Sequence, residues 1–139
     1  MTVTTHTAVG GAVGIFIPNP FLAFFAGVLS HFLIDKIPHF WPSTIKRQNL
    51  MIVVDGFLSA SLLVLFFFTP IINKESILAG AFGGMLVDLI LVIAPKFIKV
   101  FNKNLIRVWH EERQTHFQNF SWALVDGFMV IIALGVIYL

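Results

Sequence analysis

The chain has 139 residues, 58% of them hydrophobic and 12% charged, with a formal net charge of +2. Its apolar runs are longer than a soluble core of this size could bury, so we expect a single all-α domain folded as an integral membrane helix bundle. The small charge and the lack of a basic tract argue against nucleic acid and leave membrane lipids as the expected partners. With no cysteine, the chain has no disulfide or thiolate, so any metal has to be held by nitrogen and oxygen atoms.

Turn residues and basic loops divide the chain into about five predicted membrane spans. Pro18 and Pro20 separate the first two spans, Pro70 closes the third and Pro95 closes the fourth, because proline disfavours helix at the residue before it. The first span lacks a basic stretch and a cleavage site, so we interpret it as a retained helix and not as a signal peptide. The predicted spans cover residues 5–17, 21–37, 49–69, 76–94 and 119–139.

The segment between the fourth and fifth spans, residues 96–118, is predicted to be an amphipathic helix at the membrane interface. Phe97, Phe101 and Leu105 recur at helical spacing, and basic residues such as Lys99 and Arg107 lie elsewhere around the wheel. The alternative is a basic loop with incidental apolar residues. The basic side chains of the amphipathic helix would favour an acidic lipid headgroup.

Basic residues are distributed unequally between the two ends of the five-span bundle. Lys74 lies alone at one end, and the other lysines and arginines all lie at the opposite end: Lys36, Lys46, Arg47, Lys96, Lys99, Lys103, Arg107 and Arg113. By the positive-inside rule that end is cytoplasmic. We therefore expect the amino terminus in the cytoplasm and the carboxyl terminus outside the inner membrane. The sequence leaves open whether the protein forms a homo-oligomer.

Three aspartates, Asp55, Asp88 and Asp126, fall inside apolar spans in the cytoplasmic half of the bundle. An ionised carboxylate at the centre of a membrane helix costs about 2.5 to 3.5 kcal/mol on insertion scales. Protons, histidines, water or a bound cation would have to compensate that cost. We predict that these aspartates act catalytically, as a general base or as further metal ligands. The alternative is structural, with protonated aspartates hydrogen-bonded to neighbouring helices.

Histidines in the same half complete a predicted metal site. His31 and Asp35 are four residues apart and share one helix face, and His39 follows beyond the bend expected at Pro38. Imidazole and carboxylate together suit a divalent metal, with zinc preferred and manganese or iron as alternatives. The predicted ligands are His6, His31, Asp35, His39 and His116.

Two further patterns concern packing. Gly10 with Gly14 and Gly80 with Gly84 have the small-xxx-small spacing that lets helix backbones approach closely. The tetrapeptide Val-Asp-Gly-Phe occurs at residues 54–57 and again at 125–128, without a longer repeat around it.

The motif Thr5-His6-x-x-x-Gly10 followed by Ser30-His31-x-x-x-Asp35 resembles the small inner-membrane metal-dependent hydrolases of bacteria and archaea. Arg113, Thr115 and His116 are similar to a later R-x-x-T-H element of that family with one residue missing, whereas its P-D-x-D-H stretch has no counterpart here. The resemblance implies a membrane-bound metal site built from His6, His31 and Asp35. The expected function is therefore hydrolysis of a lipid or phosphoester at the cytoplasmic leaflet. The alternatives are cation or proton-linked transport and a non-catalytic membrane scaffold.

Overall fold

The computed structural model describes residues 1–97, 116–117 and 120–139. It is mostly helical, at 80% with five helices, which confirms the predicted all-α class. The helices are α1 (Val3–Ile15), α2 (Pro20–Ile34), α3 (Ile45–Phe68), α4 (Lys74–Phe97) and α5 (Ala123–Tyr138). Two short strands, β1 (His39–Phe40) and β2 (His116–Phe117), and a 3₁₀ turn at Phe120–Trp122 complete the described elements.

Helices α1 and α2 form a hairpin around the predicted proline turn. The Asn19 side chain accepts hydrogen bonds from the amides of Phe21 and Leu22, and Pro20 begins α2 where a missing amide hydrogen is harmless. Helix α2 ends at Ile34, three residues before the predicted end. Its last turn tightens there, with the amide of Ile37 bonded to the carbonyl of Ile34, before Pro38 stops the helix.

Helix α1 occupies the centre of the bundle and contacts α2, α3, α4 and α5. Its small side chains permit this, because a Cβ added to Gly10 would lie on the carbonyl oxygen of Gly80 in α4. The predicted close approach of the two glycine pairs is therefore present between α1 and α4. An apolar core surrounds the carboxyl half of α1; its buried members are Ala8, Ala12, Phe66, Ile77, Ala81, Ala133 and Ile137.

The expectation of about five membrane spans is wrong for the described residues. Of these helices, only α3 is both long and apolar enough to cross a membrane. Three of the other helices are too short, because α1, α2 and α5 have 13, 15 and 16 residues. At 1.5 Å per residue they are about 20 to 24 Å long, against a hydrocarbon core of about 30 Å. Helix α4 has 24 residues and continues through Pro95 to Phe97, past its predicted end.

Large apolar side chains cover much of the outer surface. In α3 only Ser59 and Phe66 are buried, so the helix exposes apolar residues around most of its circumference. Exposed aliphatic and aromatic side chains also follow the outer faces of α2 and α5, among them Phe21, Phe25, Leu29, Leu124, Phe128 and Ile131.

Strands β1 and β2 pair in parallel, with His39 opposite His116 and Phe40 opposite Phe117. This ladder was not predicted, because two residues are too few to show a strand period. The predicted interfacial helix at 96–118 is wrong at both ends: residues 96–97 belong to α4, and residues 116–117 are extended because they pair with β1. The remainder of that segment, residues 98–115 with 118, lies outside the described residues.

Candidate metal centre

Histidines and aspartates from three helices converge where α1 begins and α2 ends, which we call the site end of the bundle. His6 lies in the first turn of α1, His31 in the last turn of α2 and Asp88 in α4. Asp35 directly follows α2 as its C-cap residue. Both imidazoles are fully buried, and the Asp35 and Asp88 side chains are 5% and 14% exposed.

The donor atoms of these residues are close enough to bind one ion. Ligand atoms of His6, His31 and Asp88 all lie within 4.8 Å of one another. Asp35 lies between the two imidazoles, with Oδ1 3.0 Å from His6 Nε2 and Oδ2 3.1 Å from His31 Nε2. Metal bonds of about 2.0 to 2.2 Å put two ligands of one ion about 3 to 4 Å apart. The observed spacings therefore fit the prediction that His6, His31 and Asp35 form a site.

Asp88 approaches both imidazoles from α4. Its Oδ2 atom is 3.8 Å from His6 Nε2 and 4.0 Å from His31 Nδ1. It is therefore a second carboxylate close to the imidazoles, and among the described residues it is the only one of the three predicted catalytic aspartates in the group that could hold a metal.

The backbone of α4 fixes the orientation of one imidazole. His31 Nδ1 lies 2.9 Å from the carbonyl oxygen of Gly84. Because a carbonyl can only accept, Nδ1 carries the hydrogen and donates it. The Nε2 atom then faces the Asp35 carboxylate, and a proton or a metal cation on Nε2 makes that contact favourable. A histidine whose other ring nitrogen bonds a backbone carbonyl is typical of metal sites.

A primary amine also reaches Asp35, since the Met1 amino group lies 3.0 Å from its Oδ1 atom. Sequence reasoning missed this group and the Gly84 carbonyl, because backbone atoms leave no motif. The small-xxx-small spacing was the one available signal for Gly84, since it brings the backbone of α4 against α1. A Cβ on Gly84 would lie on the carbonyl oxygen of His6.

Asp55 and Asp126 bind the amino end of α1. The Asp55 carboxylate accepts hydrogen bonds from the amides of Val3 and Thr4 at 2.6 and 2.9 Å. The Asp126 carboxylate accepts from the amide of Thr2 at 3.2 Å and from the Thr5 hydroxyl at 3.0 Å. These contacts position a helix and give no support to the predicted catalytic role of the two aspartates.

His39 is 1% exposed, and its Nδ1 atom lies 3.4 Å from the carbonyl oxygen of Ile37. It is not part of the His6, His31 and Asp88 group, and its backbone pairs with that of His116. The role of His39 and His116 as metal ligands stays a prediction.

Known proteins add nothing to this description: no protein family, curated protein or solved structure matches the chain. A functional conclusion therefore has to be built from the residues of the site. They are two imidazoles and two carboxylates at one end of a helix bundle whose outer surface is largely apolar.

Proposed function

We propose that this protein is a membrane-embedded metal-dependent hydrolase that acts on a lipid or phosphoester at the cytoplasmic leaflet. One observation carries the proposal, namely the convergence of His6, His31 and Asp88 from three helices within 4.8 Å of one another, with the Asp35 carboxylate 3.0 and 3.1 Å from the two imidazoles. Burying such a set in an apolar bundle is costly unless a cation neutralises the carboxylates. The motif resemblance at His6, His31 and Asp35 points to the same chemistry.

His6 and His31 are the primary ligands, through the Nε2 atoms that face Asp35. Asp35 supplies a carboxylate oxygen to the same ion, and Asp88 is the fourth ligand or the general base. Zinc suits this mixed nitrogen and oxygen set best, with manganese or iron as alternatives. A bound metal would polarise the scissile phosphoester or ester group and activate water.

The chain's own residues would do the remaining work. The Gly84 carbonyl holds the His31 ring in one tautomer, so that Nε2 stays directed at the ion. An Asp88 that is not coordinated would accept a proton from the attacking water at Oδ2, the atom nearest to both imidazoles. Burial of the imidazoles limits the access of bulk water to the ligands.

Membrane embedding is supported by the outer surface. Helix α3 is long enough to cross the hydrocarbon core, and the shorter hairpin and α5 would be inserted beside it. Three exposed cations, Lys36, Lys46 and Arg47, lie near the site end, whereas Lys74 begins α4 beside the hairpin turn. By the positive-inside rule the site end faces the cytoplasm, where anionic headgroups are abundant. An anionic phosphoester is therefore the expected substrate.

The proposal is tested by metal content and hydrolysis together. Detergent-purified protein should contain about one zinc, manganese or iron ion per chain, since structural and catalytic sites of this kind bind one ion. It should also hydrolyse a chromogenic phosphodiester or phosphatidylglycerol in mixed micelles. His31→Ala and Asp35→Ala should lose both properties while circular dichroism stays helical.

Ser76→Ala is the matched control. Ser76 in α4 is a buried residue, as His31 and Asp35 are, and its hydroxyl donates to the carbonyl of Pro18. It lies twelve residues from Asp88, or about 18 Å along the helix, so its removal should leave the metal in place. Wild-type protein without metal, purified without chelator, would refute the metal site. Bound metal without hydrolysis of either substrate would refute the proposed activity and leave a metal-binding membrane protein.

A further inference from the structure

The repeated tetrapeptide Val-Asp-Gly-Phe has no role in the proposed chemistry, yet both copies lie against the same helix. One copy is in α3 at residues 54–57, and the other is in α5 at residues 125–128. Helices α3 and α5 both pack on α1. The identical tetrapeptides therefore present the same acidic side chain to one central helix from two neighbours.

The contacts of Asp55 are bidentate. Its Oδ2 atom accepts from the amide of Val3, and its Oδ1 atom accepts from the amide and hydroxyl of Thr4. The first amides of a helix have no partner inside that helix, and they carry partial positive charge. A carboxylate at this position both satisfies the amides and complements the helix dipole.

Asp126 binds the adjacent residues from the other helix. Its Oδ1 atom lies within hydrogen-bond distance of the Thr2 amide and of the Thr5 hydroxyl. The two threonine hydroxyls are also 2.8 Å apart, so they join the same network. Between them, Asp55 and Asp126 hold every residue from Thr2 to Thr5.

His6 is the next residue of the chain and lies in the same helical turn. We infer that Asp55 and Asp126 form a carboxylate clamp on the amino end of α1 that positions His6 in the metal site. This inference rests on the proposed metal site. Neither aspartate belongs to the group of His6, His31 and Asp88 that could hold an ion, so both are positioning residues that act through the first turn of α1.

The strands strengthen this arrangement. β1 precedes α3 and β2 precedes α5, and each strand has the sequence His-Phe. The two dipeptides pair in register, with His39 opposite His116. The chain segments that lead into the two clamp helices are therefore joined to each other, which restrains the clamp at the site end.

The test compares the Zn²⁺ affinity of two aspartate variants with that of the wild-type protein and a control variant. Asp55→Asn and Asp126→Asn keep the size of the side chain but lose one of its two acceptor oxygens and its charge. Loss of a group that orients a metal ligand typically lowers metal affinity about 10-fold to 100-fold, and we expect a decrease in that range for Zn²⁺. The d–d spectrum of bound Co²⁺ should also change, because His6 no longer keeps its position.

Ser59→Ala is the control, because Ser59 also joins α3 to α1, through a 2.6 Å hydrogen bond between its hydroxyl and that of Thr7. It should leave Zn²⁺ affinity and the Co²⁺ spectrum unchanged, even if it lowers thermal stability. If an aspartate variant does not fold, Thr5→Val removes the hydroxyl that contacts both Asp126 and Thr2 and should also lower Zn²⁺ affinity.

Amide hydrogen exchange separates failure of the clamp from failure of the metal site. Faster exchange at Val3 and Thr4 in Asp55→Asn, together with weaker Zn²⁺ binding, supports the inference. Wild-type Zn²⁺ affinity in both aspartate variants would overturn the clamp and leave the metal site standing. No Zn²⁺ binding by the wild-type protein would refute the proposed function and, with it, the positioning role of the clamp.

Discussion

The imidazole rings of His6 and His31 are stacked, with centroids 3.8 Å apart and planes inclined by 24°. Their Nε2 atoms point to opposite oxygens of one carboxylate, that of Asp35. Two imidazolium ions in this arrangement would repel each other, whereas one shared cation is attracted by both rings and by the carboxylate. The stacked pair is therefore better suited to two neutral ligands than to two independent charges.

Binding of zinc should stabilise the folded protein. A ligand present at 100 times its Kd, and bound only by the folded state, adds about 2.7 kcal/mol to the free energy of unfolding. Thermal unfolding followed by circular dichroism should shift to higher temperature when Zn²⁺ is added. His31→Ala should abolish the shift and Ser76→Ala should keep it. An equal shift in His31→Ala would show that the ion binds elsewhere.

Gly84 should tolerate no side chain. A Cβ at this position would overlap the carbonyl oxygen of His6, so Gly84→Ala has to separate α4 from α1. Overpacking of this kind typically costs about 1 to 3 kcal/mol. The same movement carries Asp88 away from His6, so Zn²⁺ affinity measured by isothermal titration should fall with the stability.

Gly56→Ala provides the comparison for Gly84, because a Cβ on Gly56 meets no atom of the described residues within 4 Å. Alanine is favoured over glycine in a helix by about 0.5 to 1 kcal/mol, so this variant should be neutral or slightly more stable. Unfolding by denaturant measures the stability of both variants, Gly84→Ala and Gly56→Ala. Equal behaviour of the two alanine variants would contradict the close α1–α4 approach.

The buried hydroxyls of Thr7 and Ser59 should be energetically coupled. Thr7 Oγ1 also donates to the carbonyl of Val3, so Ser59 is the donor to Thr7. Hydrogen bonds between membrane helices contribute about 0.6 kcal/mol on average and about 1.7 kcal/mol at most. A double-mutant cycle with Thr7→Ala and Ser59→Ala should give a coupling energy in that range. Simple additivity would exclude the bond.

Much of the candidate site could be predicted from the sequence, because its chemistry lies in side chains. The i,i+4 spacing of His31 and Asp35 follows directly from helix geometry, and the structure puts both beside His6. Asp88 was expected in the same half of the bundle as a general base or a further metal ligand, and the structure puts it near both imidazoles. The separation of Asp88 from the other two aspartates depends on helix rotation, which the sequence does not specify.

The fold was predicted less completely, for a physical reason. A helix such as α1 is apolar enough to resemble a membrane span, but its glycines, alanines and threonines are suited to the centre of a bundle. Burial on every side makes its length independent of membrane thickness. For Asp55 and Asp126 the structural alternative, hydrogen bonding to a neighbouring helix, agrees with their contacts. Their binding to the start of α1 was not predicted, since it depends on that segment lying between α3 and α5.

The orientation of the bundle can be tested directly, because the chain has no cysteine that would react in the background. Lys46→Cys reports on the site end and Lys74→Cys reports on the opposite end, and both side chains lie outside the buried core. In intact cells a membrane-impermeant maleimide should label Lys74→Cys. It should label Lys46→Cys only after the inner membrane is permeabilised, because the positive-inside rule predicts that the basic end faces the cytoplasm. The reverse pattern would move the site and its substrate to the outer leaflet. Labelling of both positions in intact cells would rule out the crossing of the membrane by α3.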